Sequence, residues 1–503
     1  MTSEDDIQYG LPPSSVHGEF HEDPAVKDPA MYLLGVMGWE EQADLYGEWA
    51  DGVSSEGRRS MKEAILAPRL QVALRHLNPD MPEEGLEKAM DALQEDRRAM
   101  PAQEAARAFH GLLRDGVKVS VSDGRGGFET CTVRVIDWSE PRNNHFFVAT
   151  EFWLQGEVYK RRADIVGFVN GLPLLMFELK APSKNVKHAF DDNLRDYKET
   201  IPQLFTPNAL TVLTNGGVTR IGSAFAPWEH FYDWKKVDRE DEEGAATLET
   251  VIRGVCTPER LLDIAENFTV FEETKDGLIK KVAKNHQYLG VNNAIRAVES
   301  LTAEKRQLGV FWHTQGSGKS LSMAFFSGKV LRKMPGNWTF VIVTDRTELD
   351  QQIYKTFART GLVTEQEAHA RSVAHLRQLL GEDHRFVFTL IHKFQTQGGE
   401  PHPVLSERDN IIVITDEAHR SQYDTLAMNM RQALPNAAFL GFTGTPLMAG
   451  EEKTREVFGD YISVYNFAQS IEDGATVPLY YENRIPELQL DEVVFQDELN
   501  AIL

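Results

Sequence analysis

Cysteine is almost missing from this sequence. Cys131 and Cys256 are the two in 503 residues, far apart and without metal-ligand spacing. That argues against a disulfide framework and suits a reducing compartment. Long apolar runs are missing as well. No stretch approaches the roughly 18 residues a membrane-spanning helix needs. The N-terminus, MTSEDDIQYG, is acidic and lacks the basic and apolar blocks of a signal peptide, so a cytoplasmic protein is expected. Positive charge is scarce: 53 Lys and Arg face 76 Asp and Glu, a formal charge of −23. This excludes a surface coated for nonspecific nucleic-acid binding but leaves room for a local basic groove. What remains is ordinary for a globular protein, with 42% apolar and 26% charged residues. The length suits about three domains of roughly 150 residues each.

Along the chain the hydrophobic period changes. The first 20 residues mix acids, Pro and Ser and read as mobile. From about 30 to 115 the pattern is helical, with MKEAILAPRLQVALRHL placing Ile65, Leu70, Ala73 and Leu77 near one face. VKVSVSD, ETCTVRVIDW and HFFVATEFWLQ then alternate or run apolar, as strands do. A hairpin, a helix over 185–200 and a strand over 209–216 follow. The run DREDEEG, 238–244, reads as a solvated acidic linker leading into a helix. From 286 onward strands and helices alternate, which predicts a doubly wound parallel sheet. There are no internal repeats.

RRADIVGFVNGLPLLMFELKAP (161–182) reads as a hairpin closed near Asn170 and Gly171. A strand this apolar is normally buried, yet it ends in Glu178 and Lys180, which share a face because strand side chains alternate. A two-residue turn would pair Asp164 with Phe177 and send Glu178 to the opposite face. A three-residue loop over 170–172 with Gly171 left-handed, or a bulge of the same effect, would pair Asp164 with Glu178. The odd loop is expected, because only then do three charges converge. Two converging carboxylates suit a hard cation such as Mg²⁺, and the lysine can stabilise charge developing on a phosphate. By spacing alone, Glu178 and Lys180 are equally a salt bridge at a strand end.

FWHTQGSGKSLSMAFF (311–326) follows a short apolar strand and precedes a helix. Gly318, Lys319 and Ser320 match the phosphate-loop pattern G-x-x-x-x-G-K-[ST], although His313 stands in place of its first glycine. Thr314, Gly316, Ser317 and Gly318 would line the phosphates with backbone N–H groups. Lys319 would reach the β- and γ-phosphates, and Ser320 would hold Mg²⁺. IIVITDEAH (411–419) is an apolar strand ending in Asp416 and Glu417. Asp416 is placed to bind Mg²⁺ and Glu417 to polarise a water. A helix N-cap reading fits poorly, because so apolar a strand is buried and central.

These motifs resemble known families. ADIVGF...MFELKAP is similar to the PD-(D/E)xK nuclease core, with Ala163 in place of the usual proline. That resemblance implies catalytic Asp164, Glu178 and Lys180, and an acid from an early helix, for which Glu22 and Asp23 are candidates. Downstream, Asn193 and Tyr197 stand where the motor subunits of type I restriction endonucleases carry a Q-x-x-x-Y element that positions DNA. The later motifs resemble a superfamily 2 helicase or translocase. That resemblance implies that Gln287 would read adenine, that Thr344 and Arg346 would touch the DNA backbone, and that His419, Thr443 and Thr445 would couple nucleotide state to DNA grip. Together they identify the chain as similar to the restriction motor subunit. The implied fold is α/β, a PD-(D/E)xK nuclease domain followed by a RecA-like lobe. The expected organisation is 1–237 for the helical region and nuclease, 238–284 for linker and helix, 285–470 for the first motor lobe and 471–503 for the start of a connection. The resemblance implies ATP and Mg²⁺ as cofactors. Double-stranded DNA and methyltransferase and specificity subunits are the implied partners. The sequence stops at Leu503 before any second lobe with an arginine finger, so a fragment is expected that binds ATP and hydrolyses it feebly.

Overall fold

A computed structural model of the chain describes residues 23–275, 277–363, 369–396, 401–416, 423–446 and 452–477. Its strands run in chain order as β1 (Glu41–Asp44), β2 (Val117–Ser122), β3 (Phe128–Val133), β4 (Phe146–Gln155), β5 (Lys160–Val169), β6 (Leu172–Leu179), β7 (Leu210–Thr214), β8 (Thr219–Gly222) and β9 (Tyr232–Asp233). β10 (Thr269–Thr274), β11 (Gly277–Val282), β12 (Gln307–His313), β13 (Thr339–Thr344), β14 (Phe386–Leu390), β15 (Ile411–Asp416), β16 (Ala438–Thr443) and β17 (Tyr461–Tyr465) follow.

The first sheet is mixed, in the order β1-β4-β5-β6-β7-β8-β9. Its centre is β6, buried at every position, which is why LPLLMFEL carries no polar alternation until its end. β1 pairs parallel with β4 and interrupts a region expected to be helical; EQAD has no apolar alternation to announce it. Helices Asp28–Val36, Ala67–Leu77, Glu83–Gln94 and Ala102–Asp115 occupy the rest of that region.

The second sheet is parallel throughout, in the order β14-β13-β15-β16-β12-β17. Alternate residues feed two cores. Phe340, Ile342, Ile412 and Ile414 join one face, with Phe326 of helix Lys319–Lys333. Val341, Val343 and Val413 join the other, with Leu376 and Met430. Helices therefore cover both faces, as the alternation of elements predicts.

Residues 238–284 hold more than a linker and a helix. Helices Leu248–Val255 and Pro258–Asn267 are followed by the antiparallel hairpin β10–β11. These helices weld the two sheets: Val251, Ile252 and Leu262 share one hydrophobic cluster with Ile165 and Phe177 on one side and Phe325 on the other. Trp39, fully buried, donates its indole N–H to the Cys256 carbonyl at 2.7 Å.

The hairpin β5–β6 differs from expectation at its turn and meets it by a bulge. Val169 pairs with Leu172, and Asn170 and Gly171 are both left-handed, with φ of 53° and 80°. This is a two-residue turn of the kind Asn-Gly favours, not a three-residue loop. The one-residue shift comes further on. Phe168 pairs with Pro173 but Gly167 pairs with Leu175, so Leu174 is extra. Its carbonyl accepts from Ala209 N at 2.7 Å in the neighbouring segment, and Pro173, which has no N–H to give, sits where the ladder is broken.

Asn170 pins this turn. Its side chain accepts from His145 N at 2.8 Å and donates to the Val135 carbonyl and Asn144 Oδ1, both at 2.9 Å. Asn170→Ala loses three hydrogen bonds, two of them buried, and puts a less tolerant residue in a left-handed position. The expected cost is about 3–4 kcal/mol, read as a fall in urea midpoint. A loss below about 1 kcal/mol would mean the turn does not hold the hairpin.

Candidate active sites

Beyond the bulge the register of the hairpin places Asp164 beside Glu178. Asp164 Oδ2 accepts from Leu179 N at 2.7 Å, and Lys180 Nζ donates to Glu178 Oε1 at 3.2 Å. Glu178 is fully buried and the Lys180 side chain is 12% exposed. Two carboxylates and an ammonium therefore meet at one strand end. Tyr197, on helix Arg195–Thr200, donates its hydroxyl to the Arg162 carbonyl at 2.8 Å. Burial, together with the negative charge of Glu178 and Asp164, pushes its phenol well above the usual range, with the Asn193 side chain acting in the opposite direction. The pair Asn193 and Tyr197 thus borders the same carboxylates. Glu22 and the side chain of Asp23 lie outside the described residues.

One participant went unread in the sequence. Glu151 is the residue of β4 skipped by the ladder, since Thr150 pairs with Ile165 and Phe152 with Ala163. That puts it level with Asp164 on the next strand. Its φ is 57°, uncommon for a non-glycine residue. Its buried carboxylate holds Lys27 at 3.0 Å and Arg162 at 2.5 Å. The first helical turn, Asp23–Lys27, contributes a lysine here. The sequence signal was available: a lone acid inside the apolar run FFVATEFW.

Among the described residues no three His, Cys, Asp or Glu side chains group to hold a metal. Two carboxylates with water and phosphate filling the shell fit Mg²⁺, which keeps several waters and uses one or two protein acids.

The second site lies at the C-terminal end of the parallel sheet, where open α/β sheets take their ligands. His313, Thr344, Asp416 and Thr443 each end a strand there. After His313 the chain turns through Thr314 and two left-handed glycines, Gly316 and Gly318, into helix Lys319–Lys333. Gly318 caps that helix with φ of 91°, and a Cβ on it would stand 2.7 Å from Gln287 Nε2. Only glycine fits. Lys319 Nζ rests on the His313 carbonyl at 3.3 Å; it and Ser320 are half-buried. Ser317 Oγ is buried and lacks a hydrogen-bond partner among the described residues. A buried hydroxyl in a loop of left-handed glycines at a helix N-terminus fits a phosphate.

Gln287 ties this loop to the preceding helix. Its amide accepts from Lys284 N at 2.9 Å and donates to the Gly318 carbonyl at 3.1 Å. Asp416 is buried, with Phe442 as its register partner. Thr443 Oγ1 donates to the Thr445 carbonyl at 2.8 Å, forming the bend after β16. Thr344 is buried, whereas Arg346 beside it is exposed. Glu417 and His419 lie outside the described residues. No helix among the described residues is long and apolar enough to cross a membrane.

Two family descriptions match the two halves. Residues 19–230 match the type I restriction enzyme R protein N terminus, and residues 286–503 match the SWI2/SNF2 ATPase. The class is thus an N-terminal restriction-enzyme domain joined to an ATPase lobe. The type I restriction enzyme HindI endonuclease subunit of Haemophilus influenzae is 38% identical over 490 residues, covering 91% of this chain and 46% of its own length. A relative in Methanocaldococcus jannaschii, designated MjaIXP, is 32% identical over 520 residues, covering 96% of this chain and 48% of its own. The chain belongs to the type I restriction enzyme endonuclease (R) subunit family and spans about half the length of the curated relatives it matches. Among solved structures, the UvsW helicase of bacteriophage T4 covers 39% of this chain and 64% of its own, at 15% identity and a TM-score of 0.28.

Proposed function

We propose that this chain supplies the DNA-cutting site and the first ATP-binding lobe of a type I restriction complex. In this reading it hydrolyses phosphodiesters of double-stranded DNA after ATP-driven translocation, alongside methyltransferase and specificity subunits that recognise the sequence. The observation that carries it is the convergence of Asp164, Glu178 and Lys180 at the end of a bulged hairpin. Asp164 and Glu178 would hold Mg²⁺, which supplies Lewis-acid stabilisation and a more acidic bound water. Lys180 stands beside Glu178, where its ammonium can orient the attacking water and offset charge on the phosphate. Asn193 and Tyr197 shape the wall against which DNA is positioned.

In the motor lobe the backbone of 314–318, with Lys319, cradles phosphates. Ser320 and Asp416 would hold Mg²⁺, and Glu417 would polarise water. Gln287 joins the adenine side, Thr344 and Arg346 the DNA backbone, and Thr443, Thr445 and His419 the coupling between nucleotide and DNA. Sequence recognition delegated to another subunit agrees with the charge of −23.

The test is nicking of plasmid DNA with and without Mg²⁺. Asp164→Asn is expected to abolish nicking while ATP binding stays at the wild-type level. Nicking that persists in Asp164→Asn, or in excess chelator, would remove the nuclease assignment.

A further inference from the structure

The acidic run after the first sheet is not simply solvated. From β9, at the edge of that sheet, the chain passes along the ATPase lobe as a strap and is bolted to it. Asn285 Oδ1 accepts from Lys235 N at 3.1 Å and Lys236 N at 2.9 Å. Lys235 Nζ meets Asp473 at 2.6 Å, and the same carboxylate accepts from Tyr465 Oη at 2.9 Å. Glu240 then turns inward. Its two oxygens take Ser463 Oγ at 2.5 Å and Val464 N at 2.7 Å.

Ser463 faces a second partner, His313 Nε2, at 2.6 Å. The direction of these bonds follows from proton count. A carboxylate only accepts, so the single hydroxyl proton of Ser463 goes to Glu240, and Ser463 Oγ accepts from His313 Nε2–H. His313 is fully buried, and burial pushes its imidazole far below the usual range, so the ring is neutral with a bare Nδ1. That Nδ1 is buried and lacks a hydrogen-bond partner among the described residues. His313 stands where the phosphate-loop pattern has its first glycine, and its carbonyl is the resting place of Lys319 Nζ. Its ring also packs edge-on against His286, at 5.3 Å between centroids, and His286 Nε2 lies 3.1 Å from the Ser317 carbonyl in the same loop.

We propose that Glu240, which lies outside every ATP-binding motif, is a positioning residue for the nucleotide site, acting through Ser463 to fix the tautomer and place of His313 and so the phosphate loop. The strap leaving the restriction-enzyme domain thereby sets how the ATPase lobe receives its nucleotide. The inference rests on the reading of residues 314–320 as an ATP-binding loop. Packing does not hold Glu240, since a cavity of about 330 Å³ opens between strap and lobe beside it; its variants are expected to fold.

The experiment measures MgATP binding by calorimetry with the whole 503-residue chain, its Glu240→Gln, Ser463→Ala and Ser463→Thr variants, and the Glu240→Gln/Ser463→Ala double variant. An amide at 240 can donate to Ser463, which then donates to His313 Nε2 and moves the ring proton to Nδ1. The expected outcome is about tenfold weaker binding in Glu240→Gln and in Ser463→Ala, with no further loss in the double variant. Ser463→Thr, which keeps the hydroxyl, is expected to bind as wild type. ¹⁵N-histidine NMR is expected to show His313 switching from the Nε2–H to the Nδ1–H form in Glu240→Gln, a change that loosened packing would not produce. Binding within twofold of wild type in both single variants, additive losses, or an unchanged tautomer would each overturn the proposal. If the wild-type chain binds no MgATP, the reading of the loop itself falls, and this relay with it.

Discussion

Glu178→Gln is expected to lose DNA cleavage by on the order of 10³-fold or more while making the protein harder to unfold. Both halves follow from burial. Glu178 is fully enclosed at the end of the central strand β6, with Asp164 beside it and the Lys180 ammonium 3.2 Å away. Keeping a carboxylate there costs stability that a neutral amide of the same shape does not. The amide is a poorer ligand for a hard dication and brings no charge to balance one. The urea midpoint should therefore rise, by about 1 kcal/mol in stability, as nicking disappears. A variant that loses both activity and stability would point instead to a structural salt bridge, and one that keeps full activity would remove Glu178 from the site.

Lys319→Ala is the second large effect. The ammonium lies on the His313 carbonyl, a neutral acceptor that phosphates would replace with charged ones. Charge-assisted bonds of this kind contribute up to about 3 kcal/mol, so MgATP affinity should fall about a hundredfold. Little stability should be lost, because the lysine is half-buried and its bond to the His313 carbonyl, at 3.3 Å, is long for an ammonium donor. Calorimetry with MgATP separates the outcomes: a loss under about threefold would mean that phosphates do not reach this helix N-terminus. Cleavage of DNA in the absence of ATP should be untouched, since the two sites share no side chain.

Much of the fold could be read in advance because burial writes itself into composition. LPLLMFEL and IIVITD are too apolar for anything but central strands, and Asn170-Gly171 announces a turn. The fault in register was not legible. Leu174 looks like its neighbours, and what makes it the extra residue is a bond from Ala209, 35 positions later in the chain. The hairpin β10–β11 was hidden for a related reason: Glu272 and Lys280 are buried within it, so charge falls on inward positions and breaks the alternation. Glu240 misled in the same way. A run of acids reads as solvent-facing unless something distant, here Ser463, waits to receive one of them. The acids and the lysine of the hairpin, and the glycines of the loop at 314–318, could be named from residue type and spacing. The role of Glu151 is not written in its own segment, because its partners, Lys27 and Arg162, reach it from a helix and from the adjacent strand.

The extra leucine in β6 has a consequence for how such hairpins can change over time. Adding or removing two residues between the Asn-Gly corner and Glu178 lengthens or shortens the ribbon and leaves the chemistry facing the same way. Adding or removing one turns the acid and the amine over to the far side of the sheet, away from Asp164. What descent must keep here is an odd-or-even count, so single-residue gaps inside this ribbon should be far rarer among working relatives than gaps of two.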